Sequence, residues 1–154
     1  EELESFRSEF FGKLQQILKS QKDVLIQGDR FVFQSEVLFP SASAILNPEG
    51  EDELARLANS LKEVMAKIPT TIPWILRVDG HTDRLALRFN LDFKSNWELS
   101  SARALSVVHF LIKQGIAPER LAATGFGEYH PLDPAQNDAA YRKNRRIEFK
   151  LTNR

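Results

Sequence analysis

The sequence contains no cysteine among its 154 residues. This absence excludes disulfides, thiol catalysis and metal sites built on cysteine, and it is neutral about the cellular compartment. An excess of one charge is missing too, because 21 basic and 21 acidic side chains give a formal net charge of zero. Nucleic-acid-binding proteins usually carry a basic excess, so we expect no nucleic-acid partner.

Long apolar runs are also lacking. The longest one, residues 104–112, is interrupted by Ser106 and His109 and is shorter than the roughly 20 residues that span a membrane. No signal peptide is visible, and the chain begins at Glu rather than Met. We therefore expect a processed or trimmed piece whose membrane anchor, if it has one, lies upstream. The hydrophobic content of 42% is typical of a globular protein with a real core.

The first 22 residues carry apolar side chains at helical spacing. These side chains are Leu3, Phe6, Phe10, Leu14, Ile17 and Leu18. They predict an amphipathic helix that packs on the domain, pairs with a second copy or continues a linker from a membrane segment. We accordingly divide the chain into an amphipathic linker helix over residues 1–23 and one domain over residues 24–154.

The rest of the chain alternates between strand and helix patterns. After short strands within residues 24–39, Asn47-Pro48 predicts the start of a helix that Pro69 ends. The later predicted elements are a strand at 72–79, a helix from 95 to 113, a strand at 120–126, a helix from 133 to 144 and a strand at 145–151. This order, β-α-β-α-β-α-β after the first helix, predicts an α/β (α+β) sandwich in which helices cover a small mixed sheet.

One face of the 95–113 helix carries polar side chains. Its buried stripe is predicted to comprise Leu105, Val108, Leu111 and Ile112. Asn96, Ser100 and Arg103 stand at i, i+4 and i+7 and share another face. Such a stripe usually faces solvent or caps the helix. The functional interpretation gains weight from Asp83, which follows a predicted strand, where α/β folds place their ligand sites.

Asp83 and Arg103 together suit a zwitterionic ligand. The guanidinium of Arg103 can donate two parallel hydrogen bonds to a carboxylate, and Asp83 can accept from an ammonium. Each such bond is worth roughly 1.5–3 kcal/mol when shielded from water. The sequence therefore predicts recognition, with weak binding per site.

Neighbouring polar residues have simpler interpretations. Asp79, His81 and Asp83 alternate as metal ligands on a strand do, but this pattern is weak and we expect no metal and no cofactor. His81 is expected to fix the loop by hydrogen bonds, and His109 to be partly buried in the core. For Trp97, packing at the helix start is favoured over stacking on a sugar.

Four motifs in order resemble the OmpA/MotB C-terminal family. They are Gly80-His81-Thr82-Asp83, Asn96-x-x-Leu99-Ser100-x-x-Arg103-Ala104, Gly125-Phe126-Gly127-Glu128-x-x-Pro131 and Asn144-Arg145-Arg146-Ile147-Glu148. The resemblance covers roughly residues 30–152. It implies non-catalytic binding of peptidoglycan, in which Asp83 and Arg103 hold the diaminopimelate of the stem peptide.

The same resemblance assigns the surrounding residues. Thr82, Asn96 and Ser100 join the ligand-binding set, with His81 and Asn144 in support. Of Arg145 and Arg146, which alternate, only one can face the ligand; we favour Arg146 and give Arg145 a supporting role.

Within the family, the stretch from Phe93 to Ser100 is similar to the flagellar stator B subunit, MotB. That similarity implies a periplasmic domain tethered to the inner membrane by an upstream helix, a partner subunit that forms an ion channel, and a homodimer. Two alternatives stay open: a hydrolase of peptidoglycan peptides, and a dimerisation module with a closed ligand site. The apolar loop at 84–95, with Leu85, Leu87, Phe89, Leu91 and Phe93, either gates the site or packs on it.

Overall fold

The computed structural model describes residues 2–18, 24–85 and 92–154. Four helices and five strands follow one another in these ranges. In chain order they are α1 (Glu2–Ile17), β1 (Val24–Gln27), β2 (Arg30–Gln34), α2 (Pro48–Met65), β3 (Trp74–His81), α3 (Asn96–Lys113), β4 (Leu121–Gly125), α4 (Asp138–Asn144) and β5 (Arg146–Asn153), with short 3₁₀ turns at Ser35–Val37 and Pro118–Arg120. None of the described helices is long and apolar enough to cross a membrane.

The five strands form one mixed sheet in the order β1-β2-β5-β3-β4. β3 and β4 run parallel, and the other neighbouring pairs are antiparallel. The connection from β3 to β4 runs through α3, as a parallel pair requires. The predicted α/β sandwich with a small mixed sheet is confirmed, and the short strands expected at 24–39 are the β1–β2 hairpin.

The core lies between one face of the sheet and helices α1 to α3. Alternate residues of β2 and β5 supply its centre, including Phe31, Phe33 and Phe149, which are fully buried. Their rings continue a chain of edge and tilted contacts from Phe10 and Phe11 of α1, with centroids 5.6 to 5.8 Å apart. Such contacts add to the hydrophobic gain of burial.

Helix α1 is part of this core. Phe10 and Leu14 have no exposed surface, and Leu3 is nearly covered. Lys13 of α1 also bonds Glu63 of α2 at 3.1 Å. Of the three roles predicted for the first helix, packing on the domain is the one observed. Removing residues 1–22 would therefore open the core as well as alter any contact between copies.

The helix ends follow the capping residues of the sequence. Asn47 Oδ1 accepts from the Gly50 amide at 2.6 Å, and Ser95 Oγ accepts from the Trp97 amide at 3.1 Å. Gly115 closes α3 with a φ of 101°, a conformation that glycine adopts without strain. The predicted start of α4 at Asp133 is wrong. The helix begins at Asp138, where Asn137 caps it, because Asp133 instead bonds the Ala135 amide in a turn.

Helix α3 sits very close to the sheet. A β-carbon on Gly80 would stand 2.2 Å from the carbonyl oxygen of Ser100, and one on Gly125 would stand 2.0 Å from Ser101 Oγ. The helix is rotated relative to the predicted stripe: Leu105 is 45% exposed and His109 is exposed, contrary to expectation. Val108 and Leu111 are buried as predicted, and the buried face also includes Asn96, Ser100 and Arg103.

The opposite face of the sheet carries a buried ionic network. Arg146 Nε donates to Glu148 Oε2 at 2.6 Å, and His81 Nε2 lies 3.6 Å from Glu148 Oε1. Burial raises the pKa of Glu148, but its interactions with His81 and Arg146 outweigh this and lower the pKa from 4.5 to about 2. Burial also lowers the pKa of His81 below 6.5.

We expect this network to make the fold sensitive to acid. The unfolded chain binds the His81 and Glu148 protons near pH 6.5 and 4.5, whereas the folded protein binds each only at a lower pH. Stability should therefore fall as the pH drops below 6.5, and by a further ~3 kcal/mol between about pH 4.5 and 2.

Urea unfolding at a series of pH values measures this loss. Glu148→Gln should lower stability at pH 7, since Arg146 loses its charged partner, and should flatten the acid limb below pH 4.5. Glu51→Gln, at an exposed position of α2, is the control and should keep the wild-type profile. An unchanged acid limb in Glu148→Gln would contradict the assignment.

Candidate functional site

Asp83, which was predicted to bind the ammonium of the ligand, lies two residues beyond the end of β3. The preceding Thr82 is buried, and its amide donates to the Gly127 carbonyl at 2.9 Å. Thr82 Oγ1 donates to the carbonyl of Asp83 at 2.8 Å. Asp83 Oδ1 accepts from the Leu85 amide at 3.0 Å. These bonds fix the carboxylate at the strand end, where only 8% of the residue is exposed.

Arg145 is the cation beside Asp83. Its Nη1 donates to Asp83 Oδ2 at 2.7 Å, and its Nε donates to Glu36 Oε2 at 2.6 Å. Partial burial lowers the pKa of Arg145, but the bonds to the two carboxylates outweigh this and raise it. The arginine that reaches Asp83 is thus Arg145, whereas Arg146, which the sequence favoured for the ligand, bonds Glu148.

Arg103 is buried and remains a cation. Its Nε donates to the Ser43 carbonyl at 2.8 Å and its Nη2 to the Pro40 carbonyl at 3.3 Å, while the guanidinium lies 5.2 Å from the Phe39 ring centroid. Burial lowers the pKa of Arg103 to about 10, so it stays charged at neutral pH. The bonds to Ser43 and Pro40 use the Nε and Nη2 donors of Arg103.

Asp83, Arg103, Arg145 and Glu36 form one electrostatic unit, which we call the charged cluster. Glu36 and Asp83 both favour the charged form of Arg103, whereas Arg145 opposes it. Two carboxylates and two guanidiniums thus stand close enough to affect one another. A ligand that carries both an ammonium and a carboxylate can bind here without leaving either charge type unpaired.

Asn96 and Ser100 hold the loops around the charged cluster. Asn96 Nδ2 lies 3.0 Å from the Leu85 carbonyl and 3.0 Å from Glu128 Oε1. Ser100 Oγ accepts from the Gly127 amide at 3.0 Å. Both side chains are buried, so the solvent-facing alternative for this stripe is wrong. By geometry, their contribution is to position the strand-end loops.

Asn144 and Arg146 stabilise the other loop. Asn144 exchanges two hydrogen bonds with the backbone of Asp133, at 3.0 and 2.8 Å. Arg146 donates to the carbonyls of Asn144 and His130 as well as to Glu148. Arg146 is therefore a structural group on the face of the sheet away from α1–α3.

His81 was expected to fix the loop by hydrogen bonds, but its ring instead stacks on a neighbouring ring. Its ring lies 4.9 Å from that of Phe126, nearly parallel to it, and neither ring nitrogen has a hydrogen-bond partner in the described chain. Asp79 is held by Arg77, whose Nε and Nη2 both donate at 2.9 Å. The described residues contain no group of three His, Asp or Glu side chains that could hold a metal ion.

Sequence reasoning missed Glu36 and misjudged Trp97. Glu36 lies 109 positions before Arg145, and no local motif signals their pairing. Trp97 stacks on Tyr129, with ring centroids 5.1 Å apart, but 50% of Trp97 remains exposed. It therefore packs at the helix start less completely than expected.

The structure describes only part of the apolar loop. Leu85 is exposed and Phe93 is half-buried, whereas Leu87, Phe89 and Leu91 lie outside the described residues.

The OmpA family profile matches residues 38–145, and the chain belongs to this family. Outer membrane protein A of Serratia odorifera is 31% identical over 121 residues, which cover 79% of this chain and 44% of that protein. The chain spans less than half the length of the first curated relatives that it matches.

Solved structures extend the similarity. A MotB-like protein from Desulfovibrio vulgaris superimposes with a TM-score of 0.83 at 28% identity, covering 99% of this chain and 94% of that one. The cell wall anchor of the T6SS from Pseudomonas aeruginosa gives a TM-score of 0.76 at 27% identity, covering 94% and 97%. The expected relationship to the OmpA/MotB family is thus confirmed.

Proposed function

We propose that this chain is a non-catalytic module that anchors an envelope protein to peptidoglycan by holding the diaminopimelate of the stem peptide. The observation that carries the proposal is the charged cluster at the end of β3. Its arginines suit the carboxylate of the zwitterionic end of diaminopimelate, and its acids suit the ammonium. The similarity to a cell wall anchor supports the same assignment.

The charged groups of the cluster are paired with one another in the free protein, so a ligand must share or replace these internal bonds. In the free protein Arg145 donates one hydrogen bond to Asp83 and one to Glu36. An incoming ammonium can share the Asp83 carboxylate, while the ligand carboxylate takes the remaining donor positions of Arg103 and Arg145. Because these internal bonds compete with the ligand, affinity per site is expected in the micromolar to millimolar range, and a polymeric ligand compensates by avidity.

Glycan hydrolysis usually requires two carboxylates that both reach the substrate, and Asp79 with Asp83 is the pair to consider. Asp79 is 1% exposed and bonded to Arg77, so it cannot act with Asp83 on a bound substrate.

The wider context that we propose is a periplasmic, homodimeric, stator-like protein that an upstream segment tethers to the inner membrane beside an ion-channel partner. The similarity to the MotB-like protein supports that context.

Binding to purified sacculi tests the anchor. We expect Asp83→Asn to weaken sacculus pull-down at least ~10-fold, because the ammonium of the ligand loses its charged partner. The fold should persist, since an asparagine oxygen can still accept from the Leu85 amide.

Asp52→Asn is the matched control, at an exposed position of α2, and should bind sacculi like the wild type. Pull-down by Asp83→Asn equal to that of Asp52→Asn would remove the charged cluster from the binding site. Release of soluble fragments from sacculi by the wild-type protein would contradict the non-catalytic assignment.

A further inference from the structure

A cavity lies on the face of the sheet away from α1–α3. It is about 480 Å³ in volume and is bounded by β1 and β2 on one side and by residues 132–143 on the other. This volume is within the range of small-ligand pockets. None of the four residues of the charged cluster lines this cavity. Arg146, the neighbour of Arg145 in sequence, does line it.

The Gln34 side chain in this cavity wall is unsatisfied. The residue is 92% buried, and neither Nε2 nor Oε1 has a hydrogen-bond partner among the residues that the structure describes. Buried carboxamides are almost always paired, because leaving one desolvated and unpaired costs stability. Both atoms have almost no accessible surface, so a ligand that offers an acceptor and a donor would pair with them once the Gln34 side chain turns toward the cavity.

The walls supply an apolar surface beside the amide. Leu25 and Val32 come from the sheet, and Leu132 and Pro134 from the opposite segment. Leu25 is 45% exposed and Leu132 is 36% exposed, so both side chains offer apolar surface to a ligand. This surface suits an aliphatic side chain.

Cations outnumber anions around the cavity. Arg142, Lys143 and Arg146 line it, with the carboxylate of Asp133 among them, although the charge of Arg146 is already compensated by Glu148. Lys143 Nζ lies 3.9 Å from Asp133 Oδ2, at a distance that leaves the lysine poorly neutralised, and its side chain is 66% exposed. The α4 side of the cavity therefore favours an anionic group.

We propose that this cavity binds the C-terminal end of a peptide, with an aliphatic last residue. The ligand's backbone amide would pair with the Gln34 carboxamide, its side chain would lie against Leu25 and Leu132, and its carboxylate would face Lys143. Such an end combines in one short unit the donor–acceptor pair, the apolar group and the negative charge that the walls require. The site is separate from the charged cluster and adds a second binding function.

An NMR titration with N-acetyl-leucine, beside N-acetyl-leucinamide, tests the proposal. We expect saturable shifts in residues 25–34 and 132–143, with millimolar affinity for the acid and at least ~10-fold weaker binding of the amide, which lacks the carboxylate. Equal binding of the two probes, or shifts that do not saturate in these segments, would overturn the proposal.

Two variants refine the test. Gln34→Leu should weaken N-acetyl-leucine binding at least ~10-fold while the unfolding midpoint stays equal or rises, because it removes an unpaired buried amide. Lys143→Gln should also weaken binding, whereas Lys113→Gln, at an exposed position of α3, should not. Undiminished binding by Gln34→Leu would overturn the proposal. Sacculus binding should be unchanged in Gln34→Leu, so failure here is distinguishable from failure of the peptidoglycan anchor.

Discussion

Replacing Gly80 by alanine will lower the free energy of unfolding by about 3 kcal/mol, at the upper end of the usual cost of overpacking. The new β-carbon would stand 2.2 Å from the carbonyl oxygen of Ser100 and 2.9 Å from its carbonyl carbon. Both are backbone atoms, so no side-chain rotation relieves the clash. Helix α3 must move away from β3, and Arg103 moves with it. We therefore expect sacculus binding to fall along with stability.

Urea unfolding of Gly80→Ala beside Gly12→Ala measures the effect. Gly12 is in α1, and a β-carbon there meets nothing within 4 Å. That variant should be more stable than the wild type by up to about 1 kcal/mol, because alanine favours a helix over glycine. A Gly80→Ala protein with wild-type stability would mean that α3 is not held against the sheet at the observed distance.

Replacing Arg103 by glutamine will reduce sacculus binding by about 10- to 100-fold. The variant loses the cation and the donor fork that the proposed ligand carboxylate needs. It will also lose stability, because Arg103 is 3% exposed and donates to the carbonyls of Ser43 and Pro40. The sequence placed Arg103 on a helix face other than the predicted buried stripe. Because the residue is in fact buried, a stability control is necessary.

Arg120→Gln supplies that control. Arg120 also stacks on an aromatic ring, 4.6 Å from the centroid of Trp74, and donates to a backbone carbonyl at 2.8 Å. We expect it to lose stability like Arg103→Gln and to keep full sacculus binding. If both variants lost binding in proportion to their stability, the role of Arg103 would be structural only.

The architecture could be predicted because the local signals agree with the packing. Asn47, Ser95 and Gly115 mark helix ends by their own chemistry, and the alternation of strand and helix patterns fixes the fold class. The rotation of α3 was not predictable from the same signals. Its Leu105 fits an apolar stripe as well as Leu99 does, and only the contact with the sheet decides between them.

The site was predictable only where residues are close in sequence. Helix geometry predicts that Asn96, Ser100 and Arg103 share one face of α3. The predicted strand before Asp83 likewise predicts the position of Asp83. The pairing of Arg145 with Asp83 spans 62 positions and its pairing with Glu36 spans 109. These contacts depend on where β5 begins, since a shift of one residue exchanges Arg145 for Arg146.

An NMR titration with a diaminopimelate-containing stem peptide, beside the lysine-containing version, tests the central claim most directly. The two ligands differ by the carboxylate that the arginines are proposed to bind. We predict shifts at Asp83, Arg103 and Arg145 that are larger and saturate at lower concentration with diaminopimelate. Equal responses to both peptides, or no response at these residues, would contradict the proposal that the charged cluster holds the zwitterionic end of the stem peptide.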